Sequence, residues 1–155
     1  MKKLLPILFL GLLFANCDDN NNGLFLSYDE QLEVDTEIIE NYLTENGLTA
    51  EMGEFGLQYI IDEPGTGTDN PTQSSTVIVK YKGYLPNGDV FDEGDTLQTN
   101  LQSVISGWRV GIPLFKKGGK GTIFLPSSLG YGVRGSAGIP PNQVLIFDVE
   151  LINFL

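Results

Sequence analysis

The sequence predicts an α+β domain in which a curved antiparallel sheet packs against one short helix. Several apolar stretches alternate with the two-residue period of a strand, and the 19 glycines and 8 prolines between them supply the turns. One short helical segment is expected over 109–115, directly after the single tryptophan, Trp108, and Pro113 should end it early. The chain lacks the alternation of strands and long helices that a parallel sheet requires.

Five segments predict the strands. They are Leu57–Ile61, Thr76–Leu85, a return strand that begins at Val90, Thr122–Leu125 and Val144–Leu151. A hairpin turn at Pro86-Asn87-Gly88-Asp89 joins the second of these to the third. Residues 126–142 form a long loop rich in glycine and proline, and loops of that length are commonly functional or disordered.

One small helix, over 35–47, is expected ahead of this domain. Asp35 or Thr36 can cap its start, and Asn46-Gly47 supplies its stop. Its apolar stripe consists of Ile38, Ile39, Tyr42 and Leu43. Because so short a helix is unstable alone, we expect it to pack on the domain or on a second copy of the chain.

The first 16 residues have the pattern of a secretory signal peptide. Two lysines precede an apolar run of 12 residues, which is shorter than the roughly 20 that span a bilayer. Cys17 follows directly, as in a bacterial lipobox, although Asn16 departs from the usual small residue. The alternative is a free thiol after an ordinarily cleaved export signal.

The expected organisation therefore has four parts. These are a signal peptide over 1–16, a lipidated cysteine and flexible tether over 17–33, a helical segment over 34–52, and the main domain over 53–155. Such a protein is exported to the cell envelope and anchored to a membrane through Cys17.

The charge and composition exclude several classes of function. The chain has 9 basic and 20 acidic residues, so nucleic-acid binding is not expected. Its lack of histidine excludes a histidine-based catalytic triad, and its single cysteine excludes an intrachain disulfide. Adsorption to anionic lipid is disfavoured, so membrane contact requires a covalent anchor.

Two local patterns suggest ligands but fail on spacing. Gly118–Thr122 is similar to the end of a phosphate-binding loop, but Leu114 stands where the first glycine is required. Four acidic residues cluster near the hairpin turn: Asp89, Asp92, Glu93 and Asp95. Their spacing does not match that of an EF-hand calcium loop. A solvated acidic loop fits them better, with Asp92 as the possible exception. No metal or cofactor is expected.

The aromatic residues suggest a pocket. Six of them come from six separate elements: Tyr81, Phe91, Trp108, Phe115, Tyr131 and Phe147. A sheet curved over one helix can bring several of these six around one cavity. Taken alone, the stretch Val104–Trp108 is compatible with plain core or with a pocket floor.

The order of these motifs resembles an FKBP-type peptidyl-prolyl cis-trans isomerase, and the resemblance extends over about residues 53 to 155. It rests on Val79-Lys80-Tyr81-Lys82-Gly83-Tyr84-Leu85, Asn87-Gly88, Val90-Phe91-Asp92, Val104-Ile105-Ser106-Gly107-Trp108, Gly118, Leu129-Gly130-Tyr131-Gly132, Gly138-Ile139-Pro140-Pro141-Asn142 and Leu145–Leu151.

The resemblance implies an FKBP-like sheet of five to six strands, wrapped on a short helix, with a proline-binding pocket between them. It assigns catalysis to Tyr81, Asp92, Trp108 and Tyr131. It assigns substrate contacts to Phe91, Val104, Ile105, Ile139 and Phe147, with Ile139 at the rim. The Ile105 N–H and the Tyr131 hydroxyl would donate to substrate carbonyls, and Asp92 would orient Tyr131 or receive a donor.

The partners implied are proline-containing polypeptides, such as exported or unfolded proteins, and macrolide inhibitors such as rapamycin. One departure concerns a pocket wall, where Asp95 and Leu97 stand in place of a pair of phenylalanines that many relatives have. The alternative function is therefore a non-catalytic module, or chaperone, that holds a proline-containing segment in the same pocket.

Overall fold

The computed structural model describes residues 26–155, and the expected signal peptide and Cys17 lie outside them. Its helices are α1, Tyr28–Glu45, and α2, Ser106–Gly111. Its strands are β1, Glu51–Met52; β2, Gln58–Glu63; β3, Thr76–Tyr84; β4, Val90–Asn100; β5, Lys120–Leu125; and β6, Leu145–Phe154. They form one antiparallel six-stranded sheet in the order β1-β2-β5-β6-β3-β4, which confirms the predicted fold class.

The inner face of the sheet packs on α2 and forms the main core. Alternate residues of β3, β5 and β6 point inward, as the two-residue period predicts; they include Val77, Val79, Ile123, Leu125, Leu145, Phe147, Val149 and Leu151. A β-carbon on Gly107 would collide with the Leu125 side chain, so this glycine allows the helix to approach the sheet closely.

Helix α2 begins earlier than predicted. It contains Trp108 and continues from Ile112 to Leu114 as a 3₁₀ turn. The α-helical part ends at Gly111, two residues before Pro113, so the expected early end is confirmed.

Helix α1 packs on the opposite, outer face of the same sheet. Ile39 and Leu43 are buried against Phe124 and Ile146, and the Tyr42 ring lies 6.0 Å from that of Phe124. Each face of the sheet therefore has its own apolar cluster.

The start predicted for this helix is wrong. The helix begins at Tyr28, so residues 28–33 of the expected tether are helical. Ser27 and Glu30 form a capping box, in which the Glu30 N–H donates to Ser27 Oγ over 3.3 Å and the Ser27 N–H donates to Glu30 Oε2 over 2.8 Å. Asp35, one of the two predicted caps, lies inside the helix and is buried.

Residues 126–142 have more internal structure than the predicted loop. Two 3₁₀ turns, Ser127–Leu129 and Gly132–Arg134, are followed by a short bridge between Ser136 and Ile139. Within the described residues, no helix is long and apolar enough to cross a membrane.

We expect Ile39→Ala to lower the free energy of unfolding by about 2–5 kcal/mol, because it removes a buried side chain from the contact between α1 and the sheet. Val34→Ala, on the same helix but 42% exposed, should change it by less than about 0.5 kcal/mol. Urea unfolding followed by circular dichroism measures both. Equal effects would show that α1 does not pack on the sheet as described.

Candidate functional site

A cleft of about 320 Å³ opens between the inner face of the sheet and the start of α2. Its volume lies at the lower end of the range for ligand pockets. Eight of the nine predicted pocket residues line it. The full set of lining residues is Tyr81, Phe91, Asp92, Leu97, Ser103, Val104, Ile105, Trp108, Tyr131 and Phe147.

Trp108 lies at the centre of an aromatic cluster. Its ring meets those of Tyr81 and Phe147 edge to face, with centroids 5.0 and 5.5 Å apart, and Phe147 meets Phe91 in the same way at 5.4 Å. Trp108 is 4% exposed, so it belongs both to the core and to the cleft. Its indole Nε1 is buried without a hydrogen-bond partner among the described residues.

Two strand glycines make room for these rings. A β-carbon on Gly83 would lie 2.7 Å from both the Phe91 and Phe147 rings, and one on Gly94 would lie 2.9 Å from Tyr81 Cε1. Neither glycine is among the residues predicted for the site. The available signal was a glycine inside a strand, which often marks a place where other atoms come close.

The Tyr81 hydroxyl donates a hydrogen bond of 2.9 Å to Asp92 Oδ2. Asp92 therefore orients Tyr81; of the two roles expected for it, to orient Tyr131 or to receive a donor, it receives a donor, and that donor is Tyr81. Burial, followed by the hydrogen bond to Asp92, raises the pKa of Tyr81 to about 12. Tyr81 consequently remains a neutral phenol throughout the physiological pH range.

The two expected donors to a substrate are at the cleft. Ile105 immediately precedes α2, and its carbonyl accepts the N–H groups of Trp108 and Arg109 over 3.1 and 3.3 Å. Within residues 26–155, the Ile105 N–H donates to no backbone carbonyl, and both Ile105 and Tyr131 line the cleft. Their role toward a substrate stays a prediction.

The wall beside Trp108 contains Leu97 but not Asp95. The register of β3 and β4 shifts between the pairs Val79–Leu97 and Tyr81–Gly94, so the strand is irregular there. Leu97 lines the cleft, while Asp95 forms an ion pair of 2.8 Å with Lys80 and is 90% exposed. One aliphatic side chain, that of Leu97, thus occupies the wall where many relatives are expected to have a pair of phenylalanines.

Ile139 is not among the residues that line the cleft, so its predicted contact with a substrate at the rim stays a prediction. It is 6% exposed and packs into the main core, held by two hydrogen bonds of 2.9 Å with the backbone of Ser136. Conversely, Ser103 lines the cleft although nothing in the sequence singled it out.

A larger hollow of about 660 Å³ lies over the outer face of the sheet. Charged side chains of both signs line it, including Lys80, Glu93, Lys120, Asp148 and Glu150. The aromatic cleft is the better candidate, because ligand sites are usually apolar with a few converging polar groups. No group of three or more histidine, cysteine, aspartate or glutamate side chains in the described part of the chain is placed to hold a metal ion.

We expect the Asp92→Asn variant to lower the pKa of Tyr81 from about 12 toward, but not to, 10, because burial persists when the carboxylate is lost. Alkaline ultraviolet titration measures it, with Tyr81→Phe identifying the signal. Since the folded protein holds this proton more tightly than the unfolded chain, Tyr81 should make stability fall as the pH rises from 10 to 12. An unchanged Tyr81 titration in Asp92→Asn would contradict the hydrogen bond.

Known proteins share both the sequence and the fold. FkpA of Escherichia coli K12, an FKBP-type peptidyl-prolyl cis-trans isomerase, is 42% identical over 121 residues, which cover 76% of this chain and 44% of that protein. The chain thus spans less than half the length of this curated relative.

Two solved structures are also similar. The crystal structure of E. coli FkpA superposes with a TM-score of 0.70 at 39% identity, over 81% of this chain and 60% of that one. A peptidyl-prolyl cis-trans isomerase of Pseudomonas syringae superposes with a TM-score of 0.71 at 29% identity, over 85% and 98% of the two chains.

A family model described as FKBP-type peptidyl-prolyl cis-trans isomerase matches residues 67–152, which is more than half of the chain. This range contains all the residues that line the cleft. The chain belongs to the FKBP-type peptidyl-prolyl cis-trans isomerase family.

Proposed function

We propose that this protein accelerates the cis–trans isomerisation of X-Pro peptide bonds in polypeptides, with the aromatic cleft as its active site. The observation that carries the proposal is the convergence of Tyr81, Phe91, Trp108 and Phe147 on one cleft beside the Tyr81–Asp92 hydrogen bond. Membership of the family and the names of the relatives support the same activity.

The reaction requires no nucleophile, acid or metal, because no covalent bond is broken. The barrier of about 18–20 kcal/mol comes from the partial double-bond character of the amide. Resonance in the planar amide places negative charge on the carbonyl oxygen, and twisting the C–N bond removes that resonance. The transition state is therefore less dipolar than the ground state. An apolar cleft disfavours the planar form relative to the twisted form and so lowers the barrier.

The cleft residues divide into an apolar surface and a few polar groups. Trp108, with Phe91 and Phe147 beside it, supplies a rigid floor against which a proline ring can pack. The Ile105 N–H and the Tyr131 hydroxyl supply donors for carbonyl oxygens on either side of the proline. Asp92 holds the Tyr81 ring in place through its hydroxyl. This combination binds and orients the twisted bond.

The substrates we propose are exported or newly unfolded polypeptides, since such chains expose prolines in both isomers. The same cleft would accept macrolide inhibitors such as rapamycin. The clients of the longer relatives do not transfer to this chain, because it spans 44% of the length of E. coli FkpA.

We expect Asp92→Ala and Trp108→Ala each to lower kcat/KM on a short X-Pro peptide by at least about tenfold, equivalent to about 1.4 kcal/mol. Asp95→Ala is the matched control, because this nearby acid faces away from the cleft in an exposed ion pair and should leave the rate unchanged. A protease-coupled assay on the full chain gives the rates, and circular dichroism verifies folding.

The same assay decides between an enzyme and a binding module. A rate no higher than background in the native protein, together with saturable quenching of Trp108 fluorescence by the peptide, would favour a non-catalytic module. Native rates in both the Asp92 and the Trp108 variants would show that the cleft is not the active site.

We also propose that the protein is an exported lipoprotein, anchored to a membrane of the cell envelope through a lipid on Cys17. The support is the arrangement of a basic start, an apolar run of 12 residues and a cysteine that follows closely. An acidic protein has little affinity for anionic lipid, so a covalent anchor is the simplest means of attachment.

Cells that express the native chain and are fed a labelled fatty acid should yield a labelled protein in the membrane fraction. Cys17→Ser should abolish the label and leave isomerase activity unchanged, since Cys17 lies 64 positions before Tyr81. Native protein without label, or Cys17→Ser protein that retains the label, would contradict lipidation at this cysteine.

A further inference from the structure

A buried carboxylate lies in the middle of α1. Asp35 is fully buried, and only Gln58 and Ser127 are comparably buried polar residues in the described part of the chain. Buried aspartates are rare unless their charge is compensated. Neither of the two ion pairs among the described residues includes Asp35, so hydrogen bonds must compensate its charge.

Three hydrogen bonds do so. Asp35 Oδ2 accepts the Ser127 N–H over 2.8 Å and the Ser127 hydroxyl over 2.7 Å, while Asp35 Oδ1 accepts Gln31 Nε2 over 2.8 Å. Hydrogen bonds to a charged acceptor are stronger than neutral ones, particularly when buried. Asp35 and Ser127 are 92 positions apart, so the bonds join two distant parts of the chain.

Ser127 begins the segment that carries Tyr131 into the cleft. The Gly130 N–H donates to the Ser127 carbonyl over 3.0 Å, and Tyr131 follows immediately. The Asn142 N–H closes the loop on the Gly132 carbonyl over 2.9 Å. Apart from the Leu129 N–H, which donates to the adjoining Pro126 carbonyl over 2.9 Å, the two bonds from Ser127 to Asp35 are the only hydrogen bonds in the described structure between residues 127–142 and the rest of the chain.

Gly56 lies beside the same junction, close to apolar side chains of both α1 and the loop. Gly56 has φ +80°, and a β-carbon there would lie 2.7 Å from Leu32 Cδ1 and 3.3 Å from Pro126 Cγ. Leu32 belongs to α1, and Pro126 directly precedes Ser127. The helix and the start of the loop therefore both approach Gly56, next to the hydrogen bonds between Asp35 and Ser127.

We propose that Asp35 is a positioning residue for the active site: through Ser127 it holds the loop that places Tyr131 at the cleft. The N-terminal helix, which lies on the opposite face of the sheet from α2, thereby controls one wall of the cleft. The effect that this inference predicts on KM rests on the proposed function. The effect that it predicts on the order of the loop does not.

The test uses Asp35→Asn and Ser127→Ala in the full chain. Amide hydrogen exchange over 127–132 should become about tenfold faster in Asp35→Asn, and less so in Ser127→Ala, which keeps the backbone bond. KM for an X-Pro peptide should rise by a similar factor while kcat changes less than about twofold, because a loosened wall weakens binding of the ground and transition states alike.

Two controls separate positioning from general destabilisation. Asp29→Asn makes the same chemical change at an exposed position of α1 and should leave exchange and KM unchanged. Val77→Ala removes a buried side chain of β3 that does not line the cleft, so it lowers stability without raising KM. If Val77→Ala reproduces both effects of Asp35→Asn, the proposal is overturned.

The outcomes distinguish this inference from the proposed function. If the native chain lacks isomerase activity, the function fails, but exchange over 127–132 and peptide titration by Trp108 fluorescence still test the inference. If the native chain is active and exchange over 127–132 is unchanged in Ser127→Ala, the inference fails alone. The milder Ser127→Ala variant decides the matter if Asp35→Asn does not fold.

Discussion

The cleft depends on the packing of Trp108 between α2 and the inner face of the sheet. Its ring sets the positions of Tyr81 and Phe147, and Phe147 in turn sets that of Phe91. Edge-to-face contacts favour a limited range of geometries, so four rings from four elements become one rigid surface. The adjacent Gly107 permits the close approach of helix and sheet that this packing requires.

A site of this kind explains how an acidic chain without histidine can belong to an isomerase family. Rotation about an X-Pro bond transfers no proton and forms no covalent intermediate, so the protein needs shape and low polarity more than titratable groups. The one acid in the cleft acts on the geometry, since Asp92 accepts a hydrogen bond from Tyr81. The nearby Asp95 is instead turned toward solvent, where it pairs with Lys80.

The two helices pack on opposite faces of the sheet. Helix α2 completes the inner core and begins at the cleft, whereas α1 covers the outer face through Ile39 and Leu43. Asp35 connects α1 to the loop that leads to Tyr131. Through this contact the N-terminal helix bears directly on residues that lie close to the cleft.

The sequence by itself determined the fold class and the main strands, because strand periodicity is a local pattern, and the family resemblance of its ordered motifs named nine pocket residues, of which eight line the cleft. Only the tertiary structure decided that Ile139 is core, that Leu97 faces the cleft while Asp95 does not, and that Asp92 pairs with Tyr81. It also showed that Asp35 binds Ser127 instead of capping its helix. These outcomes depend on strand register and on contacts between distant residues, which a single sequence does not contain.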